Sequence, residues 1–597
     1  MLKIKIGSPF DFESTEGKIA FCVDRCITNG GAFLVSGWAY KCDLGHEKFD
    51  TINYCMTELR HFQRSDVSQG FGYEDVLVKG FLLVGLADES RDFVIEFTKG
   101  ADIIRAELKV ADAAPISPSI AANLVIDFKE HVALIHLFFK ESLFWRKSLA
   151  HAAPGFASNG DAKGHLEAAR GIDDIGGLVV GWAITTGQSQ LFMVSESGAL
   201  SIMEESIRWN RADIVEAFSS TYGNLSQFAG FISSQKSIFS YGEKIFLLSA
   251  EGDQIYRVSQ AVWEQAPKDP LSFARWAFDF PTPIAKFHSR LSKHDGPILQ
   301  ELIRRHSDST NSRPFAISIY GSEHNSPDCS IIIPLYRRYD FMQNQLLELS
   351  NDPFISERCE LIYVLDDPLL EDALRGSASI FYDSYRIPFK VVYSEVNRGF
   401  AGATNLGSSI AKGSLLLLLN SDVIPLEHGW LDRMADILRR NESVGVVGSR
   451  LLFANGAIQH DGMQFVWESS WNCYLNKHPN SGMDPQSLHS PSVTNEVAVT
   501  AACMLLRLND YKTIGGLDDQ FLVGDFEDSD LCLKMLEKGL SIKCVHDFHL
   551  THLERQSFAS LGTNSFRDKV ARFNAWRHDQ RWGDTIRSLD PSARDYL

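Results

Sequence analysis

Two patterns of apolar residues divide the chain near residue 328. Before it, short apolar runs such as AFLVSGWAY and DFVIEF alternate with Gly, Asn, Asp and Ser, which is typical of β-strands joined by turns. After it, near-continuous apolar runs such as SIIIPLY, ELIYVLDD and SLLLLLNSD alternate with segments of helical spacing. Such strand and helix units predict a buried, mostly parallel sheet of Rossmann-like type with helices on both faces. We therefore expect all-β domains first and an α/β domain last.

The N-terminal half contains an internal repeat. The segment GGAFLVSGWAY around Trp38 matches IGGLVVGWAITTG around Trp182, and the R-x-D motifs at Arg64 and Arg211 follow in the same order. Each copy predicts a small β-sandwich of about a hundred residues, and helical spacing predicts a connector after each copy. The expected domains are a β-sandwich module at 1–112, a helical connector at 113–168, a second β-sandwich module at 169–265, a helical connector and linker at 266–327, and an α/β domain at 328–597.

The repeated tryptophans allow two interpretations. Trp38 and Trp182 could be stacking platforms for sugar rings, because an aromatic face suits the apolar face of a pyranose. They could equally be core residues, and the apolar runs around them favour the core. Carbohydrate binding by the modules stays an open alternative.

Bulk composition narrows the class of partner. The 597 residues carry a formal net charge of −18, which argues against nucleic acid, because its binders concentrate Lys and Arg on one face. Ten cysteines without a CxxC pair suggest buried, reduced thiols. The N-terminus lacks the basic flank and apolar stretch of an export signal, and the aliphatic run Leu415–Leu419 is too short to span a bilayer. We expect a cytoplasmic protein whose membrane contact would be peripheral.

Polar residues follow three of the predicted central strands. They are Pro334 and Tyr336 after the first strand, Asp366 after the second, and 420–422 after the run LLLLL. Ligands of open α/β sheets bind beyond the carboxyl ends of the strands. A nucleoside diphosphate needs acceptors for its base and ribose and a hard cation for its phosphates, and Mg²⁺ and Mn²⁺ prefer oxygen ligands. Asp366 suits the first role and Asp422 the second.

Several ordered motifs carry a family resemblance over about 270 residues. The segments SIIIPLYRR, VLDD, NRGFAGATNLGSSIAKGSLLLLLNSDVIP, GAIQHDGMQF, TAACMLL and GGLDDQFLVGDFEDSDLCLKMLEKG resemble the successive motifs of family 2 glycosyltransferases with the GT-A fold. The N-terminal repeats resemble the β-sandwich modules that accompany some bacterial polysaccharide glycosyltransferases. The resemblance implies an enzyme that transfers a hexose-type sugar from a nucleoside-diphosphate donor.

The resemblance also implies roles for single residues. Asp366 would contact the nucleobase, Asp422 would bind Mn²⁺ or Mg²⁺, and Asp528 would be the general base. Glu527 would help to orient the acceptor or the base. A histidine near the metal and diphosphate matches best at His552, with His549 and His546 as close competitors. The remaining positions expected near the donor are Pro334, Tyr336, Asn397, Arg398, Asn405, Asn420, Ser421 and His460.

Two positions depart from the family pattern. Asn420 stands where the family has the first acid of its D-x-D motif, and an amide is a poorer metal ligand than a carboxylate. Pro368 follows the paired acids where the family often has Gly or Asn. The first departure places metal binding on Asp422, His552, diphosphate oxygens and water.

The expected reaction is a single displacement with inversion at the sugar carbon, because no second positioned nucleophile is evident. We expect a uridine or thymidine diphosphate sugar as donor and a saccharide or glycan as acceptor, in surface-polysaccharide assembly at the inner face of a membrane. A sugar nucleotidyltransferase would need a Gly-rich phosphate loop after the first strand, and PLYRRYDFMQ has no glycine. The alternative from another class is a carbohydrate-binding or scaffold protein with an inactive transferase domain. The aperiodic stretch 467–496 suggests a lid or acceptor loop, or disorder.

Overall fold

The protein forms two compact units, Met1–Ala266 and Pro267–Leu597. The computed structural model describes residues 2–3, 5–14, 17–44, 54–64, 66–68, 78–87, 93–99, 102–186, 189–202, 206–235, 239–553 and 564–589. Within these ranges no helix is both long and apolar enough to cross a membrane. The nine cysteines whose surroundings are described are buried and form no disulfide.

The first unit is β-rich. Its helices are α1 (Pro118–Asp127), α2 (Val132–Phe139), α3 (Leu143–Ala152) and α4 (Ala212–Tyr222). Its strands are β1 (Leu2–Lys3), β2 (Phe10–Ser14), β3 (Gly17–Asn29), β4 (Ala32–Tyr40), β5 (Asp43–Leu44), β6 (Tyr54–Gln63), β7 (Val78–Ala87), β8 (Phe93–Lys99), β9 (Asp102–Leu108), β10 (Ala114–Pro115), β11 (Lys163–Ile172), β12 (Gly176–Ile184), β13 (Ser189–Ser195), β14 (Leu200–Ile202), β15 (Ile207–Trp209), β16 (Gly230–Gln235), β17 (Lys244–Glu251), β18 (Gln254–Val262) and β19 (Glu264–Gln265).

Among the described residues, each repeat comprises two sheets. The first has the orders β1-β9-β8-β5 and β10-β3-β4-β7-β6, with β2 paired to β3; the second has β15-β16-β12-β11-β19 and β14-β13-β17-β18. In each repeat, apolar residues from both sheets share one core. Helices α1 to α3 fall in the expected connector, whereas β11 begins at Lys163, before the expected module start at residue 169.

The two repeats share a local geometry. Trp38 faces Gly80 across β4 and β7, and Trp182 faces Gly230 across β12 and β16. A Cβ on Gly80 would lie 2.4 Å from the Phe62 ring, and one on Gly230 would lie 2.5 Å from the Trp209 ring. The close approach of an aromatic ring therefore explains a glycine at both positions. Trp38 is buried, whereas Trp182 is half-buried against Phe218, with ring centroids 5.4 Å apart.

The arginines of the two R-x-D motifs also make equivalent contacts. Arg64 pairs with Asp66 and with Asp24, and Arg211 pairs with Asp213 and with Glu167. Each guanidinium thus binds the acid two residues ahead and a second acid from an earlier strand. The charged groups of both motifs are therefore paired with other residues of their own module.

The second unit begins with the helices α5 (Pro270–Asp279), α6 (Ile284–Arg290) and α7 (Gly296–Asn311), the last two joined by a π-helical turn at Leu291–Asp295. The later helices are α8 (Phe341–Asn351), α9 (Pro353–Arg358), α10 (Glu371–Tyr385), α11 (Gly399–Ser409), α12 (Trp430–Arg440), α13 (Leu508–Thr513), α14 (Glu527–Glu537) and α15 (Asn564–Leu589). The strands are β20 (Phe315–Tyr320), β21 (Cys329–Leu335), β22 (Cys359–Leu365), β23 (Phe389–Ser394), β24 (Leu415–Leu419), β25 (Val423–Pro425), β26 (Val444–Leu452), β27 (Ile458–His460), β28 (Gln464–Glu468), β29 (Cys473–Lys477), β30 (Val493–Glu496), β31 (Cys503–Arg507) and β32 (Ser541–His552).

One large mixed sheet organises this unit, in the order β20-β23-β22-β21-β24-β31-β26-β32-β25. The pairs among β23, β22, β21 and β24 are parallel, and so is β26 with β32, but β31 runs antiparallel to both of its neighbours. The sheet is therefore mixed: the parallel pairs among β23, β22, β21 and β24 agree with the expectation, and the antiparallel β31 does not. An apolar run covered on both faces looks the same in either direction, so the pattern identifies a strand without its orientation.

The aperiodic stretch 467–496 contains regular structure. Strands β28 and β29 form a hairpin with Gln464 opposite Lys477, and β30 pairs with β32. Tyr474 on β29 is buried against α15 residues that include Trp582. The hairpin is thus anchored by packing that its sequence pattern did not reveal.

Candidate active site

The carboxyl ends of strands β21 and β22 lie side by side, as the alternation of strands and helices predicts. Strands β21 and β22 are parallel with Leu335 opposite Leu365, and the Asp366 N–H donates to the Leu335 carbonyl at 2.8 Å. Pro334 lies within β21 opposite Val364, and Tyr336 follows the strand with 39% of its surface exposed. An open cleft of about 410 Å³ follows, lined in part by Arg337 and Arg338.

Asp366 organises the turn before α11. One carboxylate oxygen accepts the Arg398 N–H at 2.6 Å, and the Asn397 side-chain amide donates to the Asp366 carbonyl at 2.8 Å. The Arg398 guanidinium donates to Ser394 and to the Arg313 carbonyl. Burial raises the pKa of Asp366 to about 8, although the N–H groups of Arg398 and Gly399 oppose that rise. The turn therefore positions Asp366, and Asn397 and Arg398 act in holding it.

Asp422 and His552 form the pair expected at a metal site. The His552 Nε2 lies 3.2 Å from Asp422 Oδ1, because β25 pairs with β32 and places Val423 opposite His552. The Asn420 amide nitrogen lies 3.5 Å from the same ring nitrogen. Asn420, Ser421 and Asp422 are all half-buried. His546 instead contacts Thr494 at 2.7 Å, and His549 faces Arg450 in the sheet, so the geometry favours His552 of the three histidines.

Gln459 fixes the orientation of the His552 ring. The Gln459 Oε1 lies 2.6 Å from His552 Nδ1, so Nδ1 carries the proton and the lone pair of Nε2 faces Asp422. Two acceptors this close repel each other unless a cation or a proton lies between them. The pair therefore fits a divalent cation. In the part of the chain that the structure describes, no group of three or more His, Cys, Asp and Glu residues is arranged for a metal, so further ligands would be donor oxygens and water.

We call Asp366, Asn420, Asp422 and His552 the donor edge. Asp528 lies apart from it in the chain, at the start of α14 within residues 522–530, which we call the base segment. Its carboxylate accepts the Ser529 N–H at 2.8 Å and also interacts with the Thr500 hydroxyl and the Ala501 N–H. Burial raises the pKa of Asp528, and these donors partly offset the rise.

Glu527 is more deeply buried than its neighbour Asp528. Only 8% of its surface is exposed, and Oε2 has no hydrogen-bond partner among the described residues. Burial, followed by the charge of Asp528, raises its pKa well above the usual range. A protonated Glu527 can donate a hydrogen bond beside an ionised Asp528, which suits holding an acceptor hydroxyl.

Residues of β27 and the segment before β31 connect the donor edge to the base segment. Gln459 contacts His552, while its neighbour His460 accepts the Thr500 N–H at 3.3 Å. Thr500 in turn contacts Asp528, and two residues later the Ala502 carbonyl accepts the Asn420 N–H. The stretch 500–502 therefore contacts both parts, and 459–460 joins it to His552. The structure brings the predicted metal pair and the predicted base to one place.

His460 is buried next to Thr500, and its imidazole ring is neutral. It is 1% exposed, and burial lowers its pKa well below the usual range. Because Nε2 accepts from Thr500, Nδ1 carries the proton and donates to His478 Nδ1 at 2.9 Å. His478, just after β29, also lies within electrostatic reach of Asp528. His460 thus supports the base side of the site.

One predicted donor residue lies elsewhere. The Asn405 side chain accepts the Leu517 N–H at 3.1 Å, donates to the Leu517 carbonyl at 2.8 Å and accepts the Tyr511 hydroxyl. These contacts hold the turn after α13, so Asn405 is not among the residues that converge.

The sequence reasoning missed Gln459, Thr500 and His478. Gln459 and Thr500 stand in the quoted segments GAIQHDGMQF and TAACMLL, but no spacing rule marks an amide or a hydroxyl as a contact. His478 falls in the aperiodic stretch.

Comparison with known proteins gives the class. Residues 330–482 match the family model described as Glycosyl transferase family 2. The second unit therefore contains a glycosyltransferase domain, with the mixed sheet of the GT-A fold. The ordered motifs indicated the same family, and the matched segment ends before the base segment.

Two curated relatives match about the same share of the chain. The O-antigen biosynthesis protein RfbC of Myxococcus xanthus is 27% identical over 281 residues, which cover 43% of this chain and 20% of the relative. The uncharacterized protein y4gI of Sinorhizobium fredii (strain NBRC 101917 / NGR234) is 26% identical over 264 residues, which cover 44% of this chain and 28% of the relative. The chain thus spans only a fifth to just over a quarter of these relatives.

Solved structures show weaker likeness. A crystal structure of GalNAc-T7 with UDP, GalNAc and Mn²⁺ has a TM-score of 0.33 at 12% identity, covering 46% of this chain and 52% of that chain. The mannosyltransferase PcManGT from Pyrobaculum calidifontis, in complex with GDP-Man and Mn²⁺, has a TM-score of 0.29 at 11% identity, covering 51% and 85%. TM-scores this low carry no argument about substrate or metal.

Proposed function

We propose that the second unit transfers a sugar from a nucleoside-diphosphate sugar to an acceptor hydroxyl, with inversion at the anomeric carbon and with Mn²⁺ or Mg²⁺ as cofactor. The observation that carries the proposal is that residues 459–460 and 500–502 link the Asp422–His552 pair to Asp528. A transferase needs both parts at one sugar carbon, one for the leaving diphosphate and one for the attacking hydroxyl.

The residues of this chain divide the work. Asp366 accepts a hydrogen bond from the nucleobase, and Asp422 and His552 hold the cation. The cation, when bound, stabilises the charge that develops on the leaving diphosphate. Asp528 takes the proton from the acceptor hydroxyl as that oxygen attacks, and Glu527 orients the hydroxyl.

The donor and the setting are narrower proposals. We infer a uridine or thymidine diphosphate sugar and a saccharide or glycan acceptor. The name of the Myxococcus xanthus relative, whose likeness covers 43% of this chain, supports a place in glycan assembly. We further propose that the two N-terminal repeats are β-sandwich modules. A cytoplasmic setting with peripheral contact at the inner membrane face stays a prediction from the sequence.

A panel of nucleotide sugars tests the proposal. We expect one donor, in the presence of Mn²⁺, to raise the melting temperature of the full chain, because a ligand that binds the folded state stabilises it. The same donor should be hydrolysed or transferred by the wild type, while Asp528→Asn binds it without turnover. If no nucleotide sugar stabilises the chain or is turned over, and glycans alone bind, the carbohydrate-binding scaffold is the correct function.

A further inference from the structure

The backbone that leads into α14 has an unusual conformation. Four consecutive residues have positive φ: Val523 at 69°, Gly524 at 123°, Asp525 at 87° and Phe526 at 76°. Only Gly adopts this region readily, so three of the four are held there by surrounding structure. The last of them directly precedes Glu527 and Asp528. The direction in which the base segment presents its acids therefore depends on whatever holds this turn.

Asn574 on α15 holds the turn. Its side-chain oxygen accepts the Leu522 N–H at 3.0 Å, and its side-chain nitrogen donates to the Leu522 carbonyl at 3.1 Å and to the Gly524 carbonyl at 2.7 Å. Asn574 is fully buried. One amide thus satisfies three backbone groups on the strained side of the base segment, groups that would be costly to leave unpaired.

The same face of α15 continues along the base segment. His578 and Trp582 follow Asn574 at intervals of four residues, so the three side chains lie along one side of the helix. His578 Nε2 lies 3.1 Å from the Ser529 hydroxyl, and Trp582 Nε1 donates to Asp530 at 2.8 Å. Ser529 donates to the Phe526 carbonyl, so its oxygen accepts from His578. Burial lowers the pKa of His578 to about 3, which keeps the ring neutral.

We propose that α15 is a splint for the catalytic base, in which Asn574 is the main positioning residue and His578 and Trp582 extend its hold to Ser529 and Asp530. The inference rests on the proposed function, since it assigns Asp528 as the base. It goes beyond that function because Asn574 contacts neither substrate nor Asp528. Loss of the splint lets the turn relax and moves Asp528 away from the acceptor, while the donor edge keeps its geometry.

The other side of α15 offers a matched control. Trp576 is also buried, and its Nε1 donates to Ser292 at 2.9 Å, in the π-helical turn between α6 and α7. Trp576→Phe removes one hydrogen bond of a buried side chain on the same helix without touching the base segment. Any effect of general destabilisation of α15 appears in both variants.

The experiment compares wild type, Asn574→Ala and Trp576→Phe in the full chain. Steady-state kinetics give kcat and the donor KM, and hydrogen–deuterium exchange reports the amides of 521–530. We expect Asn574→Ala to lower kcat at least tenfold with the donor KM within twofold, and to speed exchange in 521–530 at least tenfold. Trp576→Phe should change each quantity less than threefold. Equal effects in both variants, or an unchanged kcat in Asn574→Ala, would overturn the proposal.

Two further measurements keep the test decisive. If Asn574→Ala does not fold, Trp582→Phe replaces it, since it removes the bond to Asp530 and keeps an aromatic ring in the same place. We expect kcat to fall at least threefold at constant donor KM, and no fall overturns the splint. If the wild type turns over no donor, the proposed function fails by itself. The exchange of 521–530 then decides separately whether Asn574 holds the turn.

Discussion

The donor edge and the base segment are positioned by different parts of the fold. Asp366, Asn420 and Asp422 follow strand ends, and His552 ends β32, so backbone pairing in one sheet sets where they lie. Asp528 starts a helix after four positive-φ residues, and side chains of α15 hold that turn. Sheet register resists single substitutions because many backbone bonds share it. A turn held by one amide depends on that amide.

The difference predicts that donor binding and the chemical step can be altered separately. Substitutions at the donor edge should alter donor or metal affinity and leave the position of the base intact. Substitutions around the base segment should alter the chemical step and leave binding intact. Gln459, His460 and Thr500, which form the chain of contacts from His552 to Asp528, are the places where this separation should fail.

The largest expected effect is at the base. Asp528→Asn removes the proton acceptor and should lower kcat by about 10²–10⁴-fold with little change in donor affinity. Steady-state kinetics together with donor titration measure both quantities. The exposed Glu537, at the other end of α14, supplies the control Glu537→Gln, which should retain activity. An active Asp528→Asn enzyme would require another base.

The second-largest effect is expected when the metal is removed. Asp422→Ala takes away the carboxylate facing His552, so chelation of the wild type and this substitution should both reduce turnover by at least about 10²-fold, in the range that loss of one electrostatic contact costs. Added Mn²⁺ should restore the chelated wild type and leave Asp422→Ala inactive. Full activity of the wild type in chelator would refute a metal role for this pair.

A smaller effect is expected at the ring partner of His552. Gln459→Leu frees the imidazole to rotate, and loss of such outer partners typically costs about 10–100-fold in metal affinity. Activity as a function of Mn²⁺ concentration measures the shift, and saturating Mn²⁺ should recover most of kcat. Gln464→Leu, an exposed glutamine at the start of β28, is the matched control and should leave the Mn²⁺ dependence unchanged.

The smallest effect concerns pH and the nucleobase. Because the pKa of Asp366 is raised to about 8, most of the carboxyl is protonated at pH 7 and becomes an ionised acceptor only as the pH rises. Affinity for a uridine or thymidine nucleotide, whose imide N–H donates, should therefore increase severalfold from pH 6.5 to pH 8.5. Calorimetric titration of wild type and Asp366→Asn measures it. A pH-dependent Asp366→Asn protein would place the titrating group elsewhere.

The sequence predicted the donor edge better than the base segment. Apolar runs locate strand ends, and strand ends place Asp366 and Asp422 with no knowledge of side-chain contacts. The motif order also located Asp528 and His552, through the family resemblance. Asn405 shows the limit of this reasoning. It lies in a segment that carries donor motifs, but its side-chain amide holds the turn at Leu517. An amide looks the same in sequence whether it binds a ligand or the backbone.

The fold was predicted in outline for similar reasons. The repeat around Trp38 and Trp182 was visible as sequence, and both copies place the tryptophan opposite a glycine. The direction of β31 was not predictable, because its pairing with β24 and β26 is long in range. The hairpin of β28 and β29 is local, but its sequence lacks a periodic pattern. The support that α15 gives to the base segment is also a long-range contact, because Asn574 and Leu522 lie 52 positions apart in the chain.

The short strand β27 has a consequence for how this site can change. Strand β27 pairs with β26 through a bulge, with Leu452 opposite Ile458 and Leu451 opposite His460, so Gln459 is the extra residue of the pairing. Gln459 and His460 keep their two contacts only while this bulge keeps its position, and a one-residue insertion or deletion in the turn at 453–457 would shift it and disable metal and base support together. New specificity should therefore arise by substitution along β27, never by a change in loop length beside it.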